Sequence, residues 1–196
     1  MRGGRRFSQA ISEGDGISLL ADVASREAAG AAEADGAEAI VLRATVTGVG
    51  EATELPILSG AHDVSADQAL RAGADAYVLA VGGYDGDEGA LERGFAGAAD
   101  AGVECVVAVR DEDELRLALD RLDPEIFLLS AGGRGDDALE HVLSLLPDVP
   151  AGKLAIADVG PRDRDDVDEL ERAGIDAVIV GAAEVARLVG PPAPEV

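Results

Sequence analysis

The sequence predicts an α/β fold in which eight parallel strands alternate with helices and close into a compact barrel. Two observations support this prediction: eight short apolar runs lie along the 196 residues, and most of them are separated by segments with helical periodicity. Strict alternation of strand and helix indicates a parallel sheet with right-handed crossovers. Closure of eight units into a barrel removes both sheet edges. An open doubly wound sheet is the alternative.

The predicted strands are continuous apolar runs, as expected for strands that are covered on both faces. Four of them lie in similar segments, DGAEAIVL, AGADAYVL, AGVECVVA and AGIDAVIV, in which a glycine precedes the apolar run. Glycine commonly ends a helix because it accepts a positive φ, so each segment predicts a helix end followed by a buried strand. The eight strands are placed at about residues 17–23, 38–42, 55–59, 75–80, 103–108, 125–130, 153–157 and 175–180.

Several helix starts are marked by side chains that cap a helix N-terminus. Ser65 and Gln68 have the spacing of a capping box. Asp111 precedes an apolar helical pattern and is predicted to cap it. Asp163 or Asp165 is predicted to open the helix that precedes the last strand.

The second unit departs from this pattern. The segment RATVTGVGEATE, residues 43–54, has no apolar stripe at helical spacing, and Gly48 and Gly50 interrupt it. The helix after the second strand is therefore predicted to be missing or reduced to a turn. Its loss helps to explain a chain shorter than the roughly 250 residues typical of such barrels. Residues 1–190 form the predicted single domain, and residues 191–196 a flexible tail.

Composition argues against several classes of function. The 39 acidic and 16 basic residues give a net charge of −23, which opposes binding to nucleic-acid phosphates. Aromatic residues make up only 3% of the chain, so base stacking is not expected. No apolar run reaches the roughly 18 residues that a membrane span needs. The acidity fits either a high-salt habitat or high-GC codon usage. A single cysteine, Cys105, excludes an internal disulfide and favours a reducing cytoplasm.

A resemblance to a known family extends over residues 7–189. Its segments are, in order, FSQAI, ISLLADV, GAEAIVL, LPILSGAHD, AGADAYVLAV, AGVECVVAVRDEDEL and AIADVGPRDRDDVDELERAGIDAVIVG. These segments are similar to those of indole-3-glycerol phosphate synthase, a (βα)8 TIM barrel of tryptophan biosynthesis. The resemblance implies the same fold and, where the active-site residues are kept, a carboxy-lyase activity.

The resemblance also implies where catalytic residues would stand, and this chain differs at those positions. The family has a Glu-x-Lys pattern at the end of strand 1, where this chain has Asp22 and, two residues later, Ala24. Gly60 stands in place of the general-acid lysine after strand 3, and Ala108 in place of the glutamate of strand 5. The chain therefore lacks the catalytic lysines and glutamates of the family.

These replacements predict a barrel without synthase activity. Gly60 and Ala24 carry no proton to donate, and loss of one general acid or base commonly costs about 10²–10⁴ in rate. The only lysine, Lys153, lies at the start of strand 7, which is the opposite mouth of the barrel. It is therefore not expected to replace the missing groups.

The residues that correspond to the family's phosphate site are partly kept. Gly160 follows strand 7, and Gly181 with Ala182 follows strand 8, where backbone N–H groups and a short helix N-terminus attract anions. Arg162 would add a positive charge. We predict that these loops bind a phosphorylated small molecule. The alternative is that the glycines serve turn geometry alone.

Other polar residues at the strand ends leave further functions open. They are Asp22, Arg43, His62, Asp63, Arg110, Asp111, Arg134 and Asp158. Two nearby carboxylates can act as acid and base, so a sugar-phosphate isomerase or lyase that uses Asp22 and Asp158 is a second hypothesis. A structural or partner-binding barrel is a third. His62, Asp63 and Asp22 form a weak candidate metal site, and no metal or other cofactor is predicted. The oligomeric state stays open, with a monomer favoured.

Overall fold

Eight parallel strands form a closed barrel in sequential order in the computed structural model, which describes residues 5–14, 16–61, 64–84, 89–161 and 163–189. The strands are β1 Ser18–Asp22, β2 Ala39–Leu42, β3 Ile57–Ser59, β4 Ala76–Ala80, β5 Glu104–Val109, β6 Ile126–Ser130, β7 Leu154–Asp158 and β8 Ala177–Gly181. Each strand overlaps its predicted range, so the predicted eight-stranded barrel is confirmed. Residues 191–196 lie outside the described ranges.

Among the residues described, one helix precedes the first strand, and the other helices follow strands and surround the barrel. They are α1 Arg6–Ser12, α2 Arg26–Ala34, α3 Ala66–Arg71, α4 Ala90–Ala101, α5 Glu112–Arg121, α6 Ala138–Leu145, α7 Arg164–Ala173 and α8 Val185–Leu188. In the second unit a single 3-10 turn, Val49–Glu51, stands in place of the helix between β2 and β3, which confirms the predicted reduction. Within the described ranges, no helix combines the length and the apolar character that a membrane span requires.

The helix ends follow the capping residues of the sequence. Ser65 and Gln68 form the complete capping box of α3. Asp163, and not Asp165, caps α7 by accepting a hydrogen bond from the backbone N–H of Asp166 at 3.1 Å. Gly174 ends α7 in the left-handed region, with φ at +99°. The caps are local interactions, so their residue types alone predict them.

Apolar side chains form two layers, one inside the barrel and one between the strands and the helices. The inner layer contains inward-facing residues of the strands, among them Leu20, Val41, Leu58, Ile126 and Ile156. The outer layer is larger and includes the buried faces of the helices. Alanine, valine, leucine and isoleucine supply most of both layers, as expected from a sequence with few aromatic residues.

Helix α1, which was not predicted, closes the N-terminal mouth of the barrel. Phe7 and Ile11 are buried and belong to the inner layer. The carboxylate of Glu104, the first residue of β5, accepts hydrogen bonds from the backbone N–H groups of Phe7 at 2.7 Å and Ser8 at 3.1 Å. A carboxylate at a helix N-terminus satisfies otherwise unpaired N–H groups and is favoured by the helix dipole. The N-terminal segment of the chain therefore closes one end of the barrel.

We expect Phe7→Ala to lower the free energy of unfolding by about 3–5 kcal/mol, because it removes a fully buried ring and leaves a cavity. Urea unfolding followed by circular dichroism measures this change. Phe95→Ala is the matched control, since Phe95 is only partly buried on α4, and it should cost clearly less. A loss in Phe7→Ala that is well below about 3 kcal/mol and no larger than that of Phe95→Ala would show that α1 contributes little to the core.

Candidate functional site

The C-terminal strand ends bring the predicted polar residues to one mouth of the barrel. Asp22 is the last residue of β1 and pairs in register with Gly181 of β8. Asp158 is the last residue of β7 and pairs with Ser130 of β6. Since the strands are parallel, all four positions lie on the same rim. This is the face that carries the active sites of such barrels.

Arg43, the residue after β2, joins the two predicted carboxylates. Its Nε donates a hydrogen bond to Asp22 Oδ2 at 2.7 Å. Its Nη1 and Nη2 donate to Asp158 Oδ2 and Oδ1 at 3.0 and 2.8 Å, a bidentate ion pair. These contacts, the hydrogen bond to Asp158 first among them, raise the pKa of Arg43 further above its ordinary value. Arg43 is thus a permanent cation in this cluster, which we call the Asp22–Arg43–Asp158 triad.

The triad bears directly on the hypothesis of an acid–base pair. Carboxylates divide the acid and base roles most readily when their charges repel each other at close range. Here Asp22 and Asp158 both contact one guanidinium, which offsets that repulsion. An isomerase or lyase mechanism through these two residues stays a prediction.

A cavity of about 330 Å³ opens beside the triad. Its floor is apolar and includes Val41, Leu58, Val78, Leu128 and Ile179, and its rim includes Arg43, Arg110, Glu114, Ser130 and Asp158. An apolar pocket with a few convergent polar groups is the usual form of a small-molecule site, although this volume is near the lower end of the range.

Small residues at two cavity positions coincide with the family's catalytic positions. Gly60 and Ala108 both line the cavity. These are the positions at which the resemblance places the general-acid lysine after strand 3 and the glutamate of strand 5. The structure therefore has space at the places where the family would have reactive side chains.

Arg110 and Glu114 form the second ion pair of the cavity rim. The Arg110 Nε donates to Glu114 Oε1 at 2.9 Å, and the Arg110 backbone N–H donates to Oε2 at the same distance. His141 Nε2 lies 2.7 Å from the Arg110 carbonyl oxygen, so this His contacts the backbone behind the rim. Arg110 is among the polar residues predicted at this rim, and Glu114 is not. The position of Glu114 in the first turn of α5, four residues after Arg110, is the signal that could have identified it.

The predicted phosphate loops lie on the same rim. Gly160 and Gly181 are exposed after β7 and at the end of β8. Gly160 has φ at +60°, a conformation that side-chain-bearing residues rarely adopt. Ala182 begins a 3-10 turn, Ala182–Glu184, that leads into α8. Arg162 lies outside the described residues, so its contribution stays a prediction.

Lys153 and Cys105 do not add a reactive group to this mouth. Lys153 forms ion pairs with Asp123 at 2.8 Å and Glu125 at 3.6 Å, beside the N-terminal ends of β6 and β7, as predicted. Burial raises the pKa of Cys105 to about 12, so its thiol is protonated at neutral pH.

The structure offers no metal site in the residues that it covers. Among them, no three His, Cys, Asp or Glu side chains are grouped as metal ligands. His62 and Asp63, two members of the weak candidate site, lie outside the described ranges.

We expect Arg43→Gln to lower the melting temperature by about 2–4 °C at low ionic strength, because the two carboxylates lose their shared cation. Scanning calorimetry or a thermal-shift assay measures the effect, which should shrink as salt is added. Arg116→Gln, which removes an exposed pair with Asp113, is the control and should leave the melting temperature unchanged. An Arg43→Gln protein as stable as the unaltered one at every salt concentration would contradict the prediction.

Comparisons of the sequence with known proteins found relatives that share one name. No protein-family model matches the sequence. The indole-3-glycerol phosphate synthases of Variovorax paradoxus and Acidithiobacillus ferrooxidans are each 33% identical to it, over 66% and 68% of this chain and 50% and 51% of their own lengths. That of a Geobacillus species is 29% identical over 71% of this chain and 55% of its own length. The chain thus spans about half the length of the curated relatives it matches. It belongs to an indole-3-glycerol phosphate synthase-like family of (βα)8 barrels.

Proposed function

We propose that this barrel binds a phosphorylated small molecule at its C-terminal mouth without carrying out the synthase reaction. One observation carries the proposal: the cavity is lined by Gly60 and Ala108 at the positions that correspond to reactive side chains in the family. The cavity keeps room for a ligand, and the groups that would act on the ligand are missing.

The charged groups that are present do not substitute for the missing lysine. Among the described residues that line the cavity, the cations are Arg43 and Arg110. A guanidinium keeps its proton throughout the pH range of a folded protein, so it is a poor general acid. Lys153 is held by carboxylates at the opposite mouth. This distribution of charge supports binding rather than proton transfer by an ammonium group.

The phosphate part of the ligand is assigned to the loops after β7 and β8. Gly160, Gly181 and Ala182 supply backbone N–H groups there, and Arg162 is proposed to add a cation. Exposed glycines let an anion approach the backbone closely, because no Cβ stands in the way. In a chain with a net charge of −23, such local donors have to offset a long-range repulsion of anions. The phosphate is therefore expected to bind more tightly as salt screens that repulsion, up to the point at which salt anions compete for the site.

We expect no indole-3-glycerol phosphate to form when the synthase substrate, carboxyphenylamino-deoxyribulose phosphate, is added to the protein. The chain contains no Trp, so indole fluorescence reports product without background from the protein. An authentic synthase in the same assay serves as the positive control. Emission that rises with protein concentration would mean that other groups perform the proton transfers, and the absence of synthase activity would be wrong.

We expect glycerol 3-phosphate at millimolar concentration to raise the melting temperature, while glycerol does not. At about ten times its Kd a ligand adds about 1.4 kcal/mol of stability, or about 3–5 °C in a protein of this size. Gly181→Asp should abolish the shift, because its carboxylate would repel the phosphate. A Cβ at Gly181 meets only an ordinary contact with Glu184 at 3.7 Å, so the variant should fold.

Gly97→Asp is the matched control for this prediction. It adds the same charge on α4, where a Cβ meets no atom within 4 Å. Its response to glycerol 3-phosphate should equal that of the unaltered protein. A melting temperature that does not respond to glycerol 3-phosphate or inorganic phosphate would refute phosphate binding, and an unchanged response in Gly181→Asp would place it elsewhere.

A further inference from the structure

We propose that the mouth cavity selects ligands whose apolar body carries a neutral hydroxyl group and rejects those that carry a carboxylate. This inference rests on the proposed function and specifies the part of the ligand that is not phosphate. It follows from the charges and hydrogen-bonding groups around the 330 Å³ cavity, which differ from those of an anion site.

The floor of the cavity determines the apolar part of the ligand. Val41, Leu58, Val78, Leu128 and Ile179 contribute aliphatic side chains to the cavity lining. Gly60 and Ala108 widen the space above it. A planar or aliphatic body of about ten non-hydrogen atoms fits a space of this size, and its burial contributes about 25 cal/mol for each Å² removed from water.

The charge at the rim determines which polar group can accompany that body. Arg43 already donates three hydrogen bonds to Asp22 and Asp158. Arg110 is paired with Glu114. Among the described residues, the two ion-pair clusters contain the cations Arg43 and Arg110 and the three carboxylates of Asp22, Asp158 and Glu114, so one negative charge is in excess within this group of five. A ligand carboxylate would have to displace Asp158 from Arg43 or lie beside it. Both arrangements bring like charges together, and at this partly exposed rim the repulsion is strongest at low ionic strength.

A neutral hydroxyl group on the ligand is not repelled by these carboxylates. The carboxylate oxygens of the triad keep lone pairs that accept a hydrogen bond from it. The Ser130 hydroxyl, which accepts a weak bond of 3.4 Å from the Gly132 backbone N–H, retains its own proton to donate. A ligand hydroxyl is both donor and acceptor, so it can satisfy the two kinds of group together.

Two probes with the same ring and different polar ends test the selection: indole-3-ethanol and indole-3-acetate. Their fluorescence is free of interference because the protein has no Trp. In titrations at low ionic strength, we expect indole-3-ethanol to bind at least about tenfold more tightly, which corresponds to about 1.4 kcal/mol. Asp158→Asn removes the excess negative charge and frees part of Arg43, so this preference should shrink to near unity or reverse.

Asp123→Asn is the matched control. It removes a carboxylate from an ion pair at the opposite mouth and should leave the preference unchanged. Circular dichroism establishes that each variant folds, and Asp22→Asn takes the place of Asp158→Asn if that protein does not. Equal or tighter binding of indole-3-acetate, absence of binding by both probes, or an unchanged preference in the triad variant would each overturn the inference. The probes carry no phosphate, so the test is independent of the glycerol 3-phosphate experiment.

Discussion

Closure of the sheet is the constraint on which the site depends. β1 and β8 pair in register from Ser18 with Ala177 to Asp22 with Gly181, so the last strand meets the first. Closure turns the eight strand ends into one ring, on which residues far apart in sequence become neighbours. Arg43 and Asp158 are 115 residues apart and form a bidentate ion pair. Without the pairing of β1 with β8, β2 and β7 would lie near opposite edges of the sheet, and this contact would not form.

Local signals accounted for most of the fold. Apolar runs located all eight strands, and the interruption by Gly48 and Gly50 identified the missing helix. The side chains of Ser65 and Asp111 each accept a hydrogen bond from the backbone N–H three residues later, at the start of α3 and α5. These caps act within one turn of the chain, so their residue types sufficed to predict them. Helix α1 was missed because its seven residues include only a few apolar positions. What fixes α1 is long-range: Phe7 enters the barrel, and its N-terminus is capped by Glu104, 97 residues away.

The candidate site was predictable in position but not in its contacts. Parallel strand ends share a rim, so Asp22 and Asp158 could be placed on one face from sequence alone. That Arg43 would contact both depends on strand register and on the reach of a long side chain, which no sequence spacing encodes. The same applies to the cavity. From the sequence, Gly60 and Ala108 were identified as positions without the reactive side chains of the family. The structure shows in addition that both residues line the cavity, where their small size leaves space.

Closure of the N-terminal mouth by α1 has a consequence for the kinetics of ligand exchange. In the part of the chain that the structure describes, Phe7 and Ile11 fill the N-terminal mouth of the barrel, and the cavity opens at the opposite mouth. A molecule bound on the proposed cavity floor would therefore enter and leave past Arg43 and Arg110. Two small molecules that need the floor cannot exchange places without the first departing. Competition between them should therefore be strictly mutually exclusive, with exchange governed by the lifetime of the occupant rather than by the concentration of its rival.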